Sequence, residues 1–367
     1  PGQVATLILP ADVAWSEADE PVAAKSAPVA AKVSNASVEA CARALEANGR
    51  VLIMLGTRAL RENALFAAGK IVTKTGARIS AEVTNGRIQR GAGRVAVERM
   101  PYPITTALEA THGITHLILV GARAPVAFFA YPGKPSLLYP PEAEIVTLAT
   151  PGEDVQDALE RLVERIGASN SIPVLNRRDC PSPSGDVLNP SSIGAILCRH
   201  LPENAIVTDE SVTTGRSFFK DTHGAAPHDW LSLTGGAIGE GLPLAVGAAV
   251  ACPDRKVVAL QADGSGMYSL QAIWTIARER LDVTICIWAN RAYAILKGEL
   301  AAVGADGTGR NARNMLSLSD PPLDWVKLAQ GMGVDGERVT SAARFGEVFS
   351  AVTSRKGPFL IELDLSS

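Results

Sequence analysis

Residues 257–293 read VVALQADGSGMYSLQAIWTIARERLDVTICIWANRAY, and this stretch decides the fold. Residues 257–261 are a short apolar run of strand type. The run stops at Ala262-Asp263-Gly264-Ser265-Gly266, where two glycines and two small polar residues permit a turn that bulkier residues resist. From Ser269 onward Leu270, Ile273, Trp274 and Ala277 recur at helical spacing, and residues 278–280 form a charged end. Residues 283–288 are a second, β-branched strand that stops at Ala289-Asn290. A right-handed strand-helix-strand unit has parallel strands, so Asp263 and Asn290, 27 residues apart, meet at the carboxyl edge of one sheet. A carboxylate and an amide oxygen are hard ligands that suit Mg²⁺ when phosphate oxygens and water complete its shell. The glycine turn at a helix start presents N–H groups to an anion. The unit therefore reads as a site for a diphosphate with Mg²⁺. The plainer alternative makes Asp263 a helix cap and Asn290 a turn residue, and spacing alone leaves both open.

The chain of 367 residues has room for two domains with their own cores. Its 47% hydrophobic and 20% charged residues fit an ordinary α/β protein. A formal charge of −3 without a basic block argues against a nucleic-acid partner. The longest apolar candidate for a membrane span, residues 241–253, is 13 residues long and contains Pro243, too short to cross a bilayer. Five cysteines, at 41, 180, 198, 252 and 286, form no Cys-x-x-Cys pair. The expectation is a cytoplasmic protein with no structural disulfide.

Strand-like and helical segments alternate along most of the chain. Residues 4–9 are an apolar strand with nothing before them to pair with. They are expected to be the last strand of a truncated domain (1–14) or an edge strand of the next one. An Ala/Pro/Ser-rich linker covers 15–35. A middle domain, 36–170, has strands at 51–55, 77–83, 117–120 and 145–148 and helices at 38–48, 61–75, 104–111 and 154–166. A second Pro-rich linker covers 171–189. A last domain, 190–367, has helices at 190–200, 242–252, 323–332 and 342–354. Its strands fall at 205–208, 231–233, 257–261, 283–288 and 359–363. This alternation predicts an α/β fold with two doubly wound parallel sheets, the first Rossmann-like. The one Gly-x-Gly, Gly91-Ala92-Gly93, follows no expected strand, so dinucleotide binding lacks support there, and no Walker sequence is present.

Three turns in the last domain, at 209–215, 234–241 and 263–266, all follow strands, so parallel topology gathers them at one edge around an elongated ligand. His112 and His116 have helical spacing but no third ligand for zinc. His223 and His228 are expected in a loop near the site, within reach of substrate. Glu210 and Glu240 could do acid–base work, yet neither is in a setting that obviously shifts its pKa.

At these residues the sequence resembles the thiamine diphosphate enzymes of the acetolactate synthase and benzoylformate decarboxylase group. Their cofactor motif begins Gly-Asp-Gly-Ser and ends Asn-Asn; here it reads Ala262-Asp263-Gly264-Ser265 and Ala289-Asn290, with both departures to Ala. The resemblance implies thiamine diphosphate and Mg²⁺ as cofactors, with the metal on Asp263, Asn290 and the Ala292 carbonyl. GGAIGEGLPLA resembles the family's glycine-rich turn, which implies that Gly236 contacts the aminopyrimidine and that Ile238 bends the cofactor. DESVTTG implies a diphosphate contact from Thr213, beside Gly264 and Ser265. The chemistry implied is C–C cleavage or ligation on a 2-oxo acid or 2-hydroxyacyl compound. The stretch GARAPVAFFAYPG at 121–133 lacks the Arg-Phe-Asp-Asp-Arg segment of FAD-binding members, so FAD is not expected. It also lacks the substrate-side His of benzoylformate decarboxylases. Family members begin with a pyrimidine-binding domain of roughly 160 to 180 residues, within the usual domain range, which carries the Glu that activates the cofactor. On that pattern no catalytic residue can be assigned here, and this chain alone is expected to be weakly active or inactive. It would form a homo-oligomer, dimer or tetramer, or work with a chain that carries the missing domain. The competing reading is a non-catalytic or regulatory homologue that binds the same cofactor.

Overall fold

The computed structural model describes residues 6–18, 20–26, 28–183, 185–305 and 309–365. A short helix, α1 (Ala11–Trp15), is followed by extended chain to α2 (Asn35–Glu46), which starts where the Ser34 hydroxyl accepts from the Ser37 N–H. Next come β1 (Val51–Leu55), α3 (Glu62–Thr75), β2 (Arg78–Ala81), β3 (Ile88–Arg90), β4 (Glu98–Arg99) and α4 (Ile104–Thr111). β5 (His116–Val120), β6 (Glu144–Ala149) and α5 (Val155–Arg165), capped by Asp154, follow. These strands, β3 excepted, form a parallel five-stranded sheet in the order β4-β2-β1-β5-β6. All five residues of β1 are buried, as a central strand covered on both faces requires.

The second half opens with α6 (Pro190–His200), where Asn189 and Ser192 make a reciprocal capping box ahead of Pro190. β7 (Ile206–Glu210), α7 (Phe218–Asp221), β8 (His228–Ser232), α8 (Gly241–Ala251), β9 (Val257–Ala262), α9 (Asp263–Gly266), α10 (Ala272–Arg278) and β10 (Val283–Ala289) follow. The chain ends with α11 (Ala294–Ala302), α12 (Arg310–Leu316), α13 (Trp325–Gly331), β11 (Gly336–Val339), α14 (Ala342–Thr353) and β12 (Phe359–Asp364). The second sheet has seven strands in the order β11-β12-β10-β9-β7-β8-β3. It is parallel except at one edge, where β3 pairs antiparallel with β8, Ile88 opposite Trp230 and Arg90 opposite His228. One hydrophobic core runs from α2, α3 and α5 on the first sheet to α6 and α14 on the second.

The α/β fold with two parallel sheets is as expected, and four expectations are corrected. A strand, β3, does precede Gly91, but it is an antiparallel edge strand with no helix after it. Gly91 (φ 110°) instead lets the chain pass close to the Ala225 and Ala226 carbonyls. The expected strand at 4–9 lies partly outside the described residues; from Leu7 to Leu9 the chain is exposed and unpaired. An apolar run alone does not make a strand, which needs a neighbour to pair with. Cys180 and Cys198, 18 residues apart, are disulfide-paired with Cα atoms 5.5 Å apart, because residues 178–182 run back along α6, Arg178 bonding the Arg199 carbonyl and Arg199 bonding Ser182. His228 is not in a loop: it opens β8, buried, at the end of that strand opposite the site. Its Nδ1 meets the Ala226 carbonyl, Arg90 lies 3.2 Å from Nε2, and burial together with that guanidinium pushes its pKa down to about 3. His223 is exposed at the end of α7, bonded to the Lys220 carbonyl.

Candidate active site

The carboxyl ends of β7, β8, β9 and β10 lie side by side, so the three turns expected to converge do so. β9 runs directly into α9, and Asp263 is buried at that junction. One carboxylate oxygen accepts from the Gly264 N–H at 2.8 Å and the other from the Arg291 N–H at 2.7 Å, across from the end of β10. Burial pushes the Asp263 carboxyl up to about 6, against the pull of those N–H groups. A buried carboxylate without a cation is costly, and a divalent ion would relieve it.

The loop after β10 is shaped around that position. The Asn290 side-chain oxygen accepts from the Ala292 N–H at 3.0 Å, and Arg291 takes a left-handed conformation (φ 55°) with its guanidinium on Asp364. The Arg291 carbonyl and the Tyr293 N–H are bonded to Leu318 and Leu316, which fixes the loop. A strained non-glycine residue held this firmly is a feature of functional sites. Among the described residues no group of three or more His, Cys, Asp or Glu is placed to hold a metal ion. A metal here would rest on one carboxylate, an amide oxygen and a backbone carbonyl, a set completed by ligand phosphates as Mg²⁺ prefers.

The diphosphate side shows a second fit. Thr213 lies in the turn after β7, its hydroxyl buried without a partner, next to Val212 at φ 48°. A β-branched residue at positive φ is an outlier, and here it aims a turn at the sheet edge. Ser265 is buried, its hydroxyl bonded by Gln261 at 2.6 Å. A Cβ on Gly264 would come within 2.6 Å of the Tyr293 ring, so only glycine fits between that ring and the turn. Gly236 (φ 66°) sits in the turn after β8, where a Cβ would come within 2.5 Å of the Phe128 ring, and Ile238 next to it is half exposed. Thr213, Gly236, Ile238, Gly264, Ser265, Asp263, Asn290 and Ala292 thus all lie on the turns of one sheet edge.

Glu210 differs from the expectation of an unshifted carboxyl. It is fully buried at the end of β7, and burial raises its pKa, although its carboxylate accepts from the Gly239 N–H at 2.6 Å and the Gly241 N–H at 2.7 Å. It clamps the glycine turn to the start of α8. Glu240 accepts from the Thr234 N–H and staples the same turn from outside. Sequence reading missed this clamp, and also the contacts of Tyr293 and Phe128, because none leaves a spacing signal.

Residues 216–363 match the thiamine pyrophosphate enzyme family's C-terminal TPP-binding domain. Over its whole length the chain is 44% identical to a Mycobacterium tuberculosis protein described as "Putative acetolactate synthase large subunit IlvX", and it spans 70% of that protein. The chain belongs to the thiamine diphosphate enzymes of the acetolactate synthase and benzoylformate decarboxylase group. Within that group it is 28% identical, over 68% of its own length and 48% of the relative's, to benzoylformate decarboxylase of Pseudomonas aeruginosa. Its fold is that of the Rhodococcus jostii RHA1 thiamine diphosphate-dependent 4-hydroxybenzoylformate decarboxylase (TM-score 0.74, 25% identity). That match covers 94% of this chain and 67% of the other. The two parallel sheets are thus the middle and C-terminal domains of a thiamine diphosphate enzyme, and the matched cofactor-binding stretch contains Gly236, Ile238, Asp263, Gly264, Ser265, Asn290 and Ala292 of the edge described above.

Proposed function

We propose that the chain is the cofactor-binding part of a thiamine diphosphate- and Mg²⁺-dependent lyase or carboligase acting on a 2-oxo acid or 2-hydroxyacyl compound. The observation that carries this reading is the buried Asp263 carboxylate at the end of β9, which accepts from the Arg291 N–H in the loop after β10 that also carries Asn290 and Ala292. When bound, the cofactor supplies the electron sink for cleaving a C–C bond next to a carbonyl. Asp263, Asn290 and the Ala292 carbonyl hold the metal. Thr213, Gly264 and Ser265 hold the diphosphate, Thr213 through its otherwise unpaired hydroxyl. Gly236 would offer backbone to the aminopyrimidine, and Ile238 would be the bulky side chain that bends the cofactor. Glu210 keeps the Gly236 turn in register with α8 by binding two of its N–H groups.

The division into a middle domain and a C-terminal domain, with a boundary near 171–189, belongs to the same proposal; β3 crosses that boundary to pair with β8. A second copy of the chain is the proposed partner. α8 has no polar side chain, and a helix apolar all round is normally buried. Its Val250 is nevertheless exposed, and so is the nearby Trp274 of α10. Sedimentation analysis should give a dimer or tetramer. The activity test follows consumption of a 2-oxo acid by the whole gene product with thiamine diphosphate and Mg²⁺. Loss of substrate that requires both supports the reading; cofactor binding without turnover would assign the protein to non-catalytic homologues. No helix among the described residues is long and apolar enough to cross a membrane.

A further inference from the structure

β7 and β9 are neighbours, and their register sets Glu210 directly opposite Gln261. Residues opposite each other in a sheet share a face, so the two side chains meet beneath the turns that close the site. The four residues before Gln261 in β9, Val257 to Leu260, are all apolar, yet Gln261 is completely buried. Its amide nitrogen donates to the Ser265 hydroxyl at 2.6 Å. Burial raises the Glu210 carboxyl, and the Gly239 and Gly241 N–H groups and the Gln261 amide pull it back. The side chain is caged in this position. A Cβ on Gly241 would come within 2.5 Å of the amide oxygen and 2.7 Å of a Glu210 oxygen, and a Cβ on Gly266 within 3.2 Å of Gln261 Cγ. The amide oxygen is left buried without a partner. A residue that only filled space here would be apolar; a buried amide that sacrifices its acceptor side to keep its donor on Ser265 calls for a use of that donor.

We propose that Gln261 is a positioning residue that turns the Ser265 hydroxyl proton toward the cofactor diphosphate. The inference rests on the function proposed above, in which Ser265 holds the diphosphate. A hydroxyl has one proton to give and accepts on its lone pairs. With the Gln261 N–H on its acceptor side, the proton must leave in another direction. Within the protein it reaches the Ala262 carbonyl, at a long 3.3 Å. An anion at the turn is the better acceptor, and it meets the hydroxyl as a donor rather than as a lone pair. Glu210, opposite Gln261, is itself bonded to the Gly239 and Gly241 N–H groups. One buried amide therefore couples the glycine turn after β8 to the diphosphate turn after β9.

The test is calorimetric titration of the full chain with thiamine diphosphate in Mg²⁺, using Gln261→Met, which keeps the length of the side chain and removes the donor. Affinity should fall roughly 3- to 10-fold, the worth of one hydrogen bond. Ser265→Ala should cost about 10-fold, a bond to a charged group. The double variant decides. With the Ser265 hydroxyl gone, Gln261→Met should change affinity by less than about 2-fold, because the donor then has nothing to orient. A side chain that merely packs would cost the same in both backgrounds. Equal losses with and without the hydroxyl, or unchanged affinity in Gln261→Met, would overturn the proposal. Gln261→Asn, whose amide stops one methylene short of Ser265, serves in the same cycle if the methionine variant does not fold. The unaltered chain separates the two claims. If it does not bind thiamine diphosphate in Mg²⁺, the proposed function fails; if it binds and the two losses add, only the role of Gln261 fails.

Discussion

The two sheets end in similar edges with opposite fates. At the carboxyl edge of the five-stranded sheet, Gly56 follows β1, Glu82 follows β2 and Gly121 follows β5. These residues close on one another. The Thr57 hydroxyl bonds the Gly121 carbonyl at 3.2 Å, Glu82 accepts from the Arg123 N–H at 2.9 Å, and a Cβ on Gly56 would come within 2.5 Å of both the Glu82 carboxylate and the Gly121 carbonyl. At the matching edge of the seven-stranded sheet, a buried Asp263 has only backbone N–H groups and a Thr213 hydroxyl has nothing. Parallel topology offers a crevice at both edges. Which one becomes a site depends on whether the chain fills it with its own groups.

The comparison can be broken most decisively at Asp263. Asp263→Ala should lower thiamine diphosphate affinity in Mg²⁺ by at least about 100-fold, the upper end of what even groups that only orient a metal ligand cost. Calorimetric titration measures it. Unfolding in denaturant should show no loss of stability, because the substitution removes an uncompensated buried charge. The pH dependence sharpens the contrast. Burial raises both carboxyls, Asp263 to about 6, so each favours the folded state while protonated and loses that contribution as pH rises through its folded pKa. Thiamine diphosphate with Mg²⁺ should restore stability at pH 7 in the native chain, but not the part assigned to Glu82; Glu82→Gln should flatten that part alone. Thermal melts across pH 4 to 8 would show whether the two separate.

At the closed edge, Gly121→Ala places a Cβ 2.6 Å from the Thr57 hydroxyl at φ 60°. It should destabilise the chain by about 1–3 kcal/mol in denaturant unfolding and leave cofactor affinity unchanged. Thr213→Val is the converse and the smallest effect. Its hydroxyl bonds nothing in the protein, so stability should hold while thiamine diphosphate affinity falls by roughly 3- to 10-fold, one neutral hydrogen bond's worth.

The open edge was legible in the sequence because its chemistry is local. Asp263 and Asn290 each follow an apolar β-branched run, and one crossover of fixed handedness places them together. The helix 190–200 was legible for the same reason, cap, proline and apolar period agreeing, and the helix 104–111 from its apolar period after Pro103. What escaped notice is non-local. Ile88–Arg90 lies between glycines and looks like a turn, and becomes a strand only because β8 offers an edge. Cys180 and Cys198 meet only because a proline-rich segment folds back along a helix. His228 looked like a loop residue beside the site and is a core residue at the far end of its strand. Glu210 took its significance from two N–H groups 29 and 31 residues away. Phe128 was part of a stretch read for what it lacked, and its contact with Gly236 crosses from one sheet to the other.

The central claim is that the edge bearing Asp263 binds a diphosphate only together with a divalent cation. Calorimetric titration of the chain with thiamine diphosphate, in Mg²⁺ and again after chelation, tests it most directly. Binding that appears with Mg²⁺ and disappears with the chelator is the predicted result. Binding of equal affinity in both, or in neither, would contradict the account.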